Sequence, residues 1–349
     1  MGSVSVAVGT IVTKSHLPYA RTLAGSIHAL HPGVPVHVLL ADTVDGYFEP
    51  ADESFELIPL EAMAVRNLRA LCFWYPRLQL TIALKPQLLR YLLDRGYEAA
   101  VFMDADILAV SGLDPLFHAA REHAVVLTPH LLSAPTGLRR FSRELDILRA
   151  GVYNGGCVSV SQRRGGHAFL AWWEDRLTTH CRYAIAEGMH YDQRWLDLSP
   201  GLFDDVHVLA DEGCNVAYWN LPERDLTACR FFHFSGFNPD QPTAVTRHFP
   251  YPTMDDIGSA RQLFERYVVL LHQQGLETAK QWPYGYECFD NGVPIPALAR
   301  ETYLDMGAQS AAFADPFSTG AGSFFEWLTN LRPLPAPVLG AYNPNRADR

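Results

Sequence analysis

The sequence predicts an α/β fold, a mostly parallel mixed sheet with helices on both faces, followed by a mainly helical C-terminal extension. Three observations predict it. Strand-like and helix-like stretches alternate through the first 250 residues. The strand-like stretches are apolar at consecutive positions, as in strands covered on both faces. Past residue 250 the alternation stops, and a long helical spacing leads into an aromatic, Gly/Pro-rich segment. A chain of 349 residues can bury a large core, and this change of character divides it into residues 1–250 and 251–349.

Each element follows from its spacing. Residues 3–12 read as the first buried strand. In residues 16–33, Leu17, Ala20, Leu23, Ala24, Ile27 and Leu30 share one side of a helix that Pro32-Gly33 stops. Residues 34–42 give a second strand closing at Asp42, and residues 55–60 a third. Residues 78–97 have helical spacing on both sides of Pro86, which marks a boundary or kink. Residues 99–110 supply the next strand, with Asp104 and Asp106 inside it. Strands at 123–130 and 152–161, helices at 142–151 and 166–181, a short helix at 191–203 and late strands at 205–210 and 229–236 complete the body. In the extension, residues 254–275 read as a helix, and residues 282–296 as either a packed aromatic cap or a platform for stacking on sugar faces. No basic amphipathic anchor protrudes from the extension, and there is no internal repeat.

Composition narrows the partners. The net charge is −10 and basic residues are not clustered, which argues against nucleic acid, since neutralising phosphates needs grouped Lys and Arg. Only Lys14, Lys85 and Lys280 are lysines among 28 basic residues. The six cysteines show no zinc-ligand spacing and read as small buried hydrophobes of a reducing compartment. The first residues lack the pattern of a signal peptide, and no apolar run reaches the length of a membrane span. The expectation is a cytoplasmic protein, with room for peripheral contact with the inner face of the membrane.

Four stretches could carry chemistry. Asp104 and Asp106 are two residues apart and point the same way if the backbone stays extended. At the C-terminal end of a buried strand they are either solvated turn residues or a pair sharing a hard divalent cation with substrate phosphates. His233 ends another apolar strand, as a satisfied imidazole or a metal ligand, with Gly236 close behind to let backbone approach a phosphate. Asn154 precedes a glycine pair, which fits a turn or an amide bonded to a sugar hydroxyl. Asp192 and Gln193 open a short helix, where an Asp can simply be a cap.

Together these motifs resemble glycosyltransferase family 8, the family of glycogenin and bacterial lipopolysaccharide galactosyltransferases. The Asp104–Asp106 stretch with the Leu-Asp-Pro helix start after it, the Asn-Gly strand, the Asp-Gln pair and the late His-x-x-Gly occur in the family's order, across roughly residues 4–250. The resemblance implies a Rossmann-like, A-type glycosyltransferase fold, and retaining transfer of a hexose from a UDP-linked sugar to a hydroxyl of a glycan, glycolipid or protein. It implies Mn²⁺ (or Mg²⁺) on Asp104, Asp106 and His233. Thr10 and Lys85 would face the donor, and Asn154, Asp192 and Gln193 would hold its sugar near the reacting carbon. The family often follows its His-x-x-Gly with Lys-Pro-Trp, the Lys binding the diphosphate. Here Pro239 falls at that position, so Arg247 or His248 replaces the Lys, or the leaving phosphate is held differently.

Breaking the anomeric bond develops negative charge on the leaving diphosphate, which a cation would stabilise. Same-face attack by the acceptor is preferred to a protein nucleophile, because a Gln amide is a poor nucleophile. Two alternatives remain. A haloacid-dehalogenase-type phosphatase also uses D-x-D after an apolar strand, but usually on its first strand and with a later acidic pair closing another; here Asp204-Asp205 precedes a strand. A catalytically degenerate sugar-nucleotide-binding protein is the other.

Overall fold

The computed structural model describes residues 6–330. The body opens with β1 (Val6–Val12), α1 (Leu17–Leu30), β2 (Val36–Leu40) and β3 (Glu56–Pro59). Pro18 sits in the first turn of α1, where its missing N–H costs nothing. Next come α2 (Leu68–Trp74), which the sequence reading missed, α3 (Arg77–Ala83) and α4 (Lys85–Asp94). The break expected at Pro86 falls two residues earlier, at Leu84, because Pro86 fits the first turn of α4 instead of interrupting a helix.

Residues 99–110 do not form one strand. They split into β4 (Ala99–Met103) and β5 (Ile107–Ala109), with a turn at 104–106 closed by Ile107 N–H donating to Asp104 C=O at 3.1 Å. The chain continues through α5 (Asp114–Glu122), β6 (Val125–Pro129), α6 (Arg140–Ala150), β7 (Tyr153–Ser161) and α7 (Gly166–His180). A small ribbon of β8 (Tyr183–Ala184) and β9 (Met189–His190) leads to α8 (Gln193–Leu196) and α9 (Ser199–Leu202), where one short helix was expected. Then follow β10 (Val206–Val208), β11 (Val216–Ala217) and β12 (Phe231–His233).

The main sheet has seven strands in the order β10-β6-β7-β4-β1-β2-β3. All pairs are parallel except those of β7, which runs antiparallel to both β4 and β6. The expected α/β class therefore holds, with β7 as the reversed strand. That reversal matters: the first residues of β7 reach the same sheet edge as the last residues of β4. Beside that edge β12 pairs antiparallel with β5 and parallel with β11, which brings His233 opposite Ile107.

Two apolar layers cover the faces of the sheet. Leu88, Leu92, Phe169 and Trp173 lie on one side, and Leu17, Leu23, Ile27 and Leu116 on the other. The extension contributes α10 (Arg261–Gln273), α11 (Leu276–Ala279), α12 (Ala297–Asp305) and α13 (Phe324–Asn330). It shares the body's cores: Tyr267 of α10 stacks on Phe234 with ring centroids 3.9 Å apart, and Tyr284, Tyr286 and Phe289 are buried in the cluster that contains Phe73. The aromatic segment is thus a packed cap. Arg300 of α12 is buried too and donates to the carbonyls of Phe73 and Tyr286, capping the end of α2 from the extension. All six cysteines are free, and five are buried. Among the described residues no helix is long and apolar enough to cross a membrane.

Candidate active site

The sequence places polar residues at the ends of apolar strands; the sheet brings them to one edge. Order reverses between β1 and β4, and open α/β sheets bind ligands at such a switch point. Asp104 N–H donates to Gly156 C=O at 2.8 Å, so the end of β4 is fixed to the start of β7. The two aspartates lie on the turn, not on an extended strand. The turn converges their carboxylates on His233, whose Nε2 is 3.1 Å from Asp106 Oδ1 and 3.8 Å from Asp104 Oδ2. One ligand atom from each of the three lies within 4.8 Å of the others.

The imidazole of His233 is buried, whereas the side chains of Asp104 and Asp106 are 33% and 30% exposed, so this cluster opens to solvent on its carboxylate side. His233 Nδ1–H donates to Asn215 Oδ1 at 3.2 Å, which leaves Nε2 facing the carboxylates. A second-sphere acceptor of this kind sets the tautomer a metal-binding imidazole needs. Burial works against the imidazolium, but Asp106 and Asp104 outweigh it and hold the His233 pKa above its ordinary value. A cation that displaces the Nε2 proton would meet two carboxylates and an imidazole nitrogen, a donor set for Mn²⁺ or Mg²⁺.

Lys85, at the start of α4, is buried and joins this cluster to the next. Its Nζ donates to Gly155 C=O at 2.9 Å and to Asp192 Oδ2 at 3.0 Å, and lies 3.4 Å from Asp104 Oδ1. Burial works against the ammonium, but the carboxylates of Asp104 and Asp192 outweigh it and hold its pKa above the usual lysine value. Asp192 occupies the N-cap position of α8 without making a capping hydrogen bond; its carboxylate serves Lys85 instead. Gln193 Oε1 accepts from Asn154 Nδ2 at 3.2 Å and from Gly155 N–H at 3.0 Å, while its Nε2 donates to Ala150 C=O at 2.9 Å.

Asn154 lies in β7 rather than in a turn. Its Oδ1 accepts from Gly156 N–H at 3.0 Å, beside a shift of register between β6 and β7. The glycine pair after it forms the floor of the site. A Cβ on Gly155 would stand 2.6 Å from Asp192 Oδ2, and one on Gly156 would stand 2.4 Å from His233 Cε1.

Lys85, Asp104, Asp106, Asn154, Asp192, Gln193 and His233 thus form one connected group. Two expected residues stand outside it. Thr10 lies within β1 opposite Val38, fully buried, and its hydroxyl has no hydrogen-bond partner among the described residues. Gly236 has φ +70°, and a Cβ there would meet His248 Cδ2 at 2.5 Å. It is packed beneath the returning loop, where Arg247 N–H donates to Gly236 C=O at 2.9 Å. Arg247 itself is exposed, and Tyr19 is within electrostatic reach of both Arg247 and Asp106.

Two further residues escaped the sequence reading. His130 donates from Nδ1 to Val152 C=O at 3.2 Å and accepts at Nε2 from Asn154 Nδ2 at 3.2 Å. Burial pushes its pKa down to about 3, so it is the neutral form that accepts. It closes an apolar strand as Asp104 does, and that was the available signal. Asn215 has φ +56° and follows no strand or helix pattern that would single it out.

No protein-family model matches the chain. Two curated proteins of Bacillus subtilis (strain 168) are similar to it along nearly their whole length, and both are uncharacterized. YfnF is 24% identical over 289 residues, covering 77% of this chain and 94% of its own. YfnD is 24% identical over 333 residues, covering 85% and 97%. Among solved structures, the glycosyltransferase GlyE of Streptococcus pneumoniae TIGR4 superposes with a TM-score of 0.46 at 14% identity over 81% of this chain; the chain spans 66% of that structure's length. The galactosyltransferase LgtC, solved with donor and acceptor sugar analogs, gives 0.47 at 15% identity, covering 76% of this chain and 95% of its own.

Proposed function

We propose that the protein is a metal-dependent glycosyltransferase of the A-type fold that moves a hexose, with retention, from a UDP-linked sugar to a hydroxyl acceptor. The observation that carries this reading is the joining of a three-ligand cluster, Asp104, Asp106 and His233, to the polar group of Asp192, Gln193 and Asn154 through Lys85. Mn²⁺ or Mg²⁺, held by those three residues, would supply charge stabilisation to the leaving diphosphate. Lys85 adds a fixed positive charge beside the same region and orients the Asp192 carboxylate. Asp192 offers the oxygen that Lys85 leaves open, and Asn154 the second lone pair of Oδ1, to hydroxyls of the donor sugar, since both Asn154 N–H groups are taken by His130 and Gln193. Gln193 positions Asn154 and the Gly155 amide, because its own amide is engaged at both ends.

Those engagements favour same-face attack by the acceptor over a protein nucleophile. Gln193 is tied into the floor, and one oxygen of Asp192 is held by Lys85. A glycosyl adduct on either residue, found by mass spectrometry after incubation with donor alone, would overturn this. Arg247 is our choice for the cation that replaces the absent Lys, since its exposed guanidinium stands on the loop folded over Gly236. We assign donor binding to residues 1–250 and a supporting role to 251–349, of which 331–349 lie outside the described residues.

The position of the Asp204-Asp205 pair speaks against the phosphatase alternative. Asp205 accepts from Ala124 N–H at 2.8 Å at the N-terminal ends of β6 and β10, the sheet edge opposite to Asp104. The test is calorimetric titration of UDP with and without Mn²⁺ into wild type and Asp106→Asn, followed by a donor-sugar hydrolysis screen. Metal-dependent UDP binding lost in the variant supports the reading. Absence of nucleotide binding in the wild type sinks it.

A further inference from the structure

Helix α6 has an apolar stripe that the other described residues leave largely exposed. Leu138, just before the helix, and Phe141, Leu145 and Leu148 within it follow a three-four-three spacing, which lines up one face. A surface helix normally turns such a stripe toward the core. Here those four side chains are 101%, 63%, 50% and 58% exposed, and no residue of α6 is buried. The helix is held by polar contacts instead. Arg143 donates to Trp219 C=O at 2.9 Å, Arg194 to Leu148 C=O at 2.8 Å, and Gln193 to Ala150 C=O at 2.9 Å. Exposed Tyr251, with the Arg139 guanidinium 4.1 Å over its ring, continues the patch. The apolar rim therefore borders the candidate site through Gln193.

The segment that carries the stripe has a positive excess, with Arg149 paired to Asp146 at 3.2 Å and Asp256 within electrostatic reach of Arg139. Residues 138–149 hold four arginines, Arg139, Arg140, Arg143 and Arg149, against Glu144 and Asp146, in a protein of net charge −10. An exposed apolar face flanked by arginines suits an interface between acyl chains and anionic headgroups. A second copy of this chain suits it less, because a two-fold contact through α6 would set the same arginines against each other.

We propose that α6 and its flanking rim dock on an anionic lipid surface, with the stripe of Leu138, Phe141, Leu145 and Leu148 inserted among the acyl chains. Resting on the transfer reading above, this turns the Gln193 side of the site toward the lipid surface.

Vesicle flotation of the full chain tests this, with phosphatidylcholine alone and with about a third phosphatidylglycerol added. The wild type is expected to float with the anionic vesicles and to be released by salt. Phe141→Ser combined with Leu145→Ser should lower partition about tenfold, and Arg139→Gln combined with Arg140→Gln should lower it by about the same factor. Circular dichroism and UDP titration, unchanged in both variants, guard against misfolding. A wild type that floats with neither vesicle overturns the proposal, as does a serine variant that floats as well as wild type. A concentration-dependent dimer that the serine variant abolishes, without flotation, also overturns it in favour of self-association. Flotation as expected, in a protein that binds no nucleotide, upholds the docking surface while the transfer reading falls.

Discussion

Two buried lysines invite comparison. Lys14 follows β1 and Lys85 opens α4; each is enclosed beside two carboxylates, Asp42 and Asp45 for one and Asp104 and Asp192 for the other. Around Lys14 the ammonium and the buried carboxylate of Asp42 are fully paired, and only Asp45, 46% exposed, reaches solvent. Its Nζ donates to Asp42 Oδ1, to the carbonyl and hydroxyl of Thr43, and to Asp45 Oδ2 at 2.7 Å. Asp42 also receives Lys14 N–H, Thr43 N–H and, from the extension, Gly285 N–H at 2.8 Å. This is a closed knot that ties β1, β2 and the C-terminal segment. Around Lys85 the protein donors stop short: Asp104 and Asp106 keep open oxygens, and their third neighbour is an imidazole. Buried charge that is fully satisfied holds a fold together; buried charge left partly open can take up a ligand.

The sharpest way to break that comparison is to remove one carboxylate from each cluster. Asp106→Asn is expected to abolish metal-dependent UDP binding and lower transfer about 1000-fold, with little change in melting temperature. Asp42→Asn is expected to do the reverse, costing about 3–5 kcal/mol of stability because it leaves Lys14 buried and under-compensated, while UDP affinity of the folded protein is kept. Denaturant unfolding and calorimetry on the two variants decide it; loss of UDP binding in a fully stable Asp42→Asn would invert the assignment.

A second difference lies in pH. His130 belongs to the Lys85 side, through Asn154, and its native pKa of about 3 is below its ordinary 6.5. The unfolded chain therefore takes up a proton that the native protein refuses, so stability is full above pH 6.5 and falls as pH drops from 6.5 toward 3. By pH 5 this amounts to about 2 kcal/mol. His130→Gln keeps a donor and an acceptor without the titration, so its melting temperature should fall less between pH 7 and pH 5. Parallel curves for variant and wild type would remove His130 from the account.

The smallest expected effect concerns the open side. Arg247→Ala should weaken UDP binding about tenfold at unchanged stability, as loss of one charge-assisted phosphate contact would. If His248→Ala weakens it and Arg247→Ala does not, the diphosphate is held by the imidazole.

Much of the site was legible because its residues obey one local rule, a polar side chain closing a buried apolar strand, and that rule picks out Asp104 and His233. Their expected arrangement was not right in detail. The carboxylates of Asp104 and Asp106 converge through a turn and not along an extended strand. α2 was missed because Leu68–Trp74 is only seven residues long and follows Asn67 in a left-handed conformation, with little periodicity to read.

The sequence by itself determined the alternation of strands and helices, the change of character near residue 250, and which strand ends carry polar groups. Those are matters of local periodicity and of residues that water or a partner must satisfy. Tertiary structure decided which of them meet. The Lys85–Asp192 bond spans 107 residues, and it exists because a reversed β7 sets Gly155 beside α4 and α8. Sheet order also determines that Asn215 reaches His233, that Lys14 is sealed by Gly285, and that α6 leaves its apolar stripe in the open. A spacing pattern says that a face is apolar; only the packed fold says whether anything covers it.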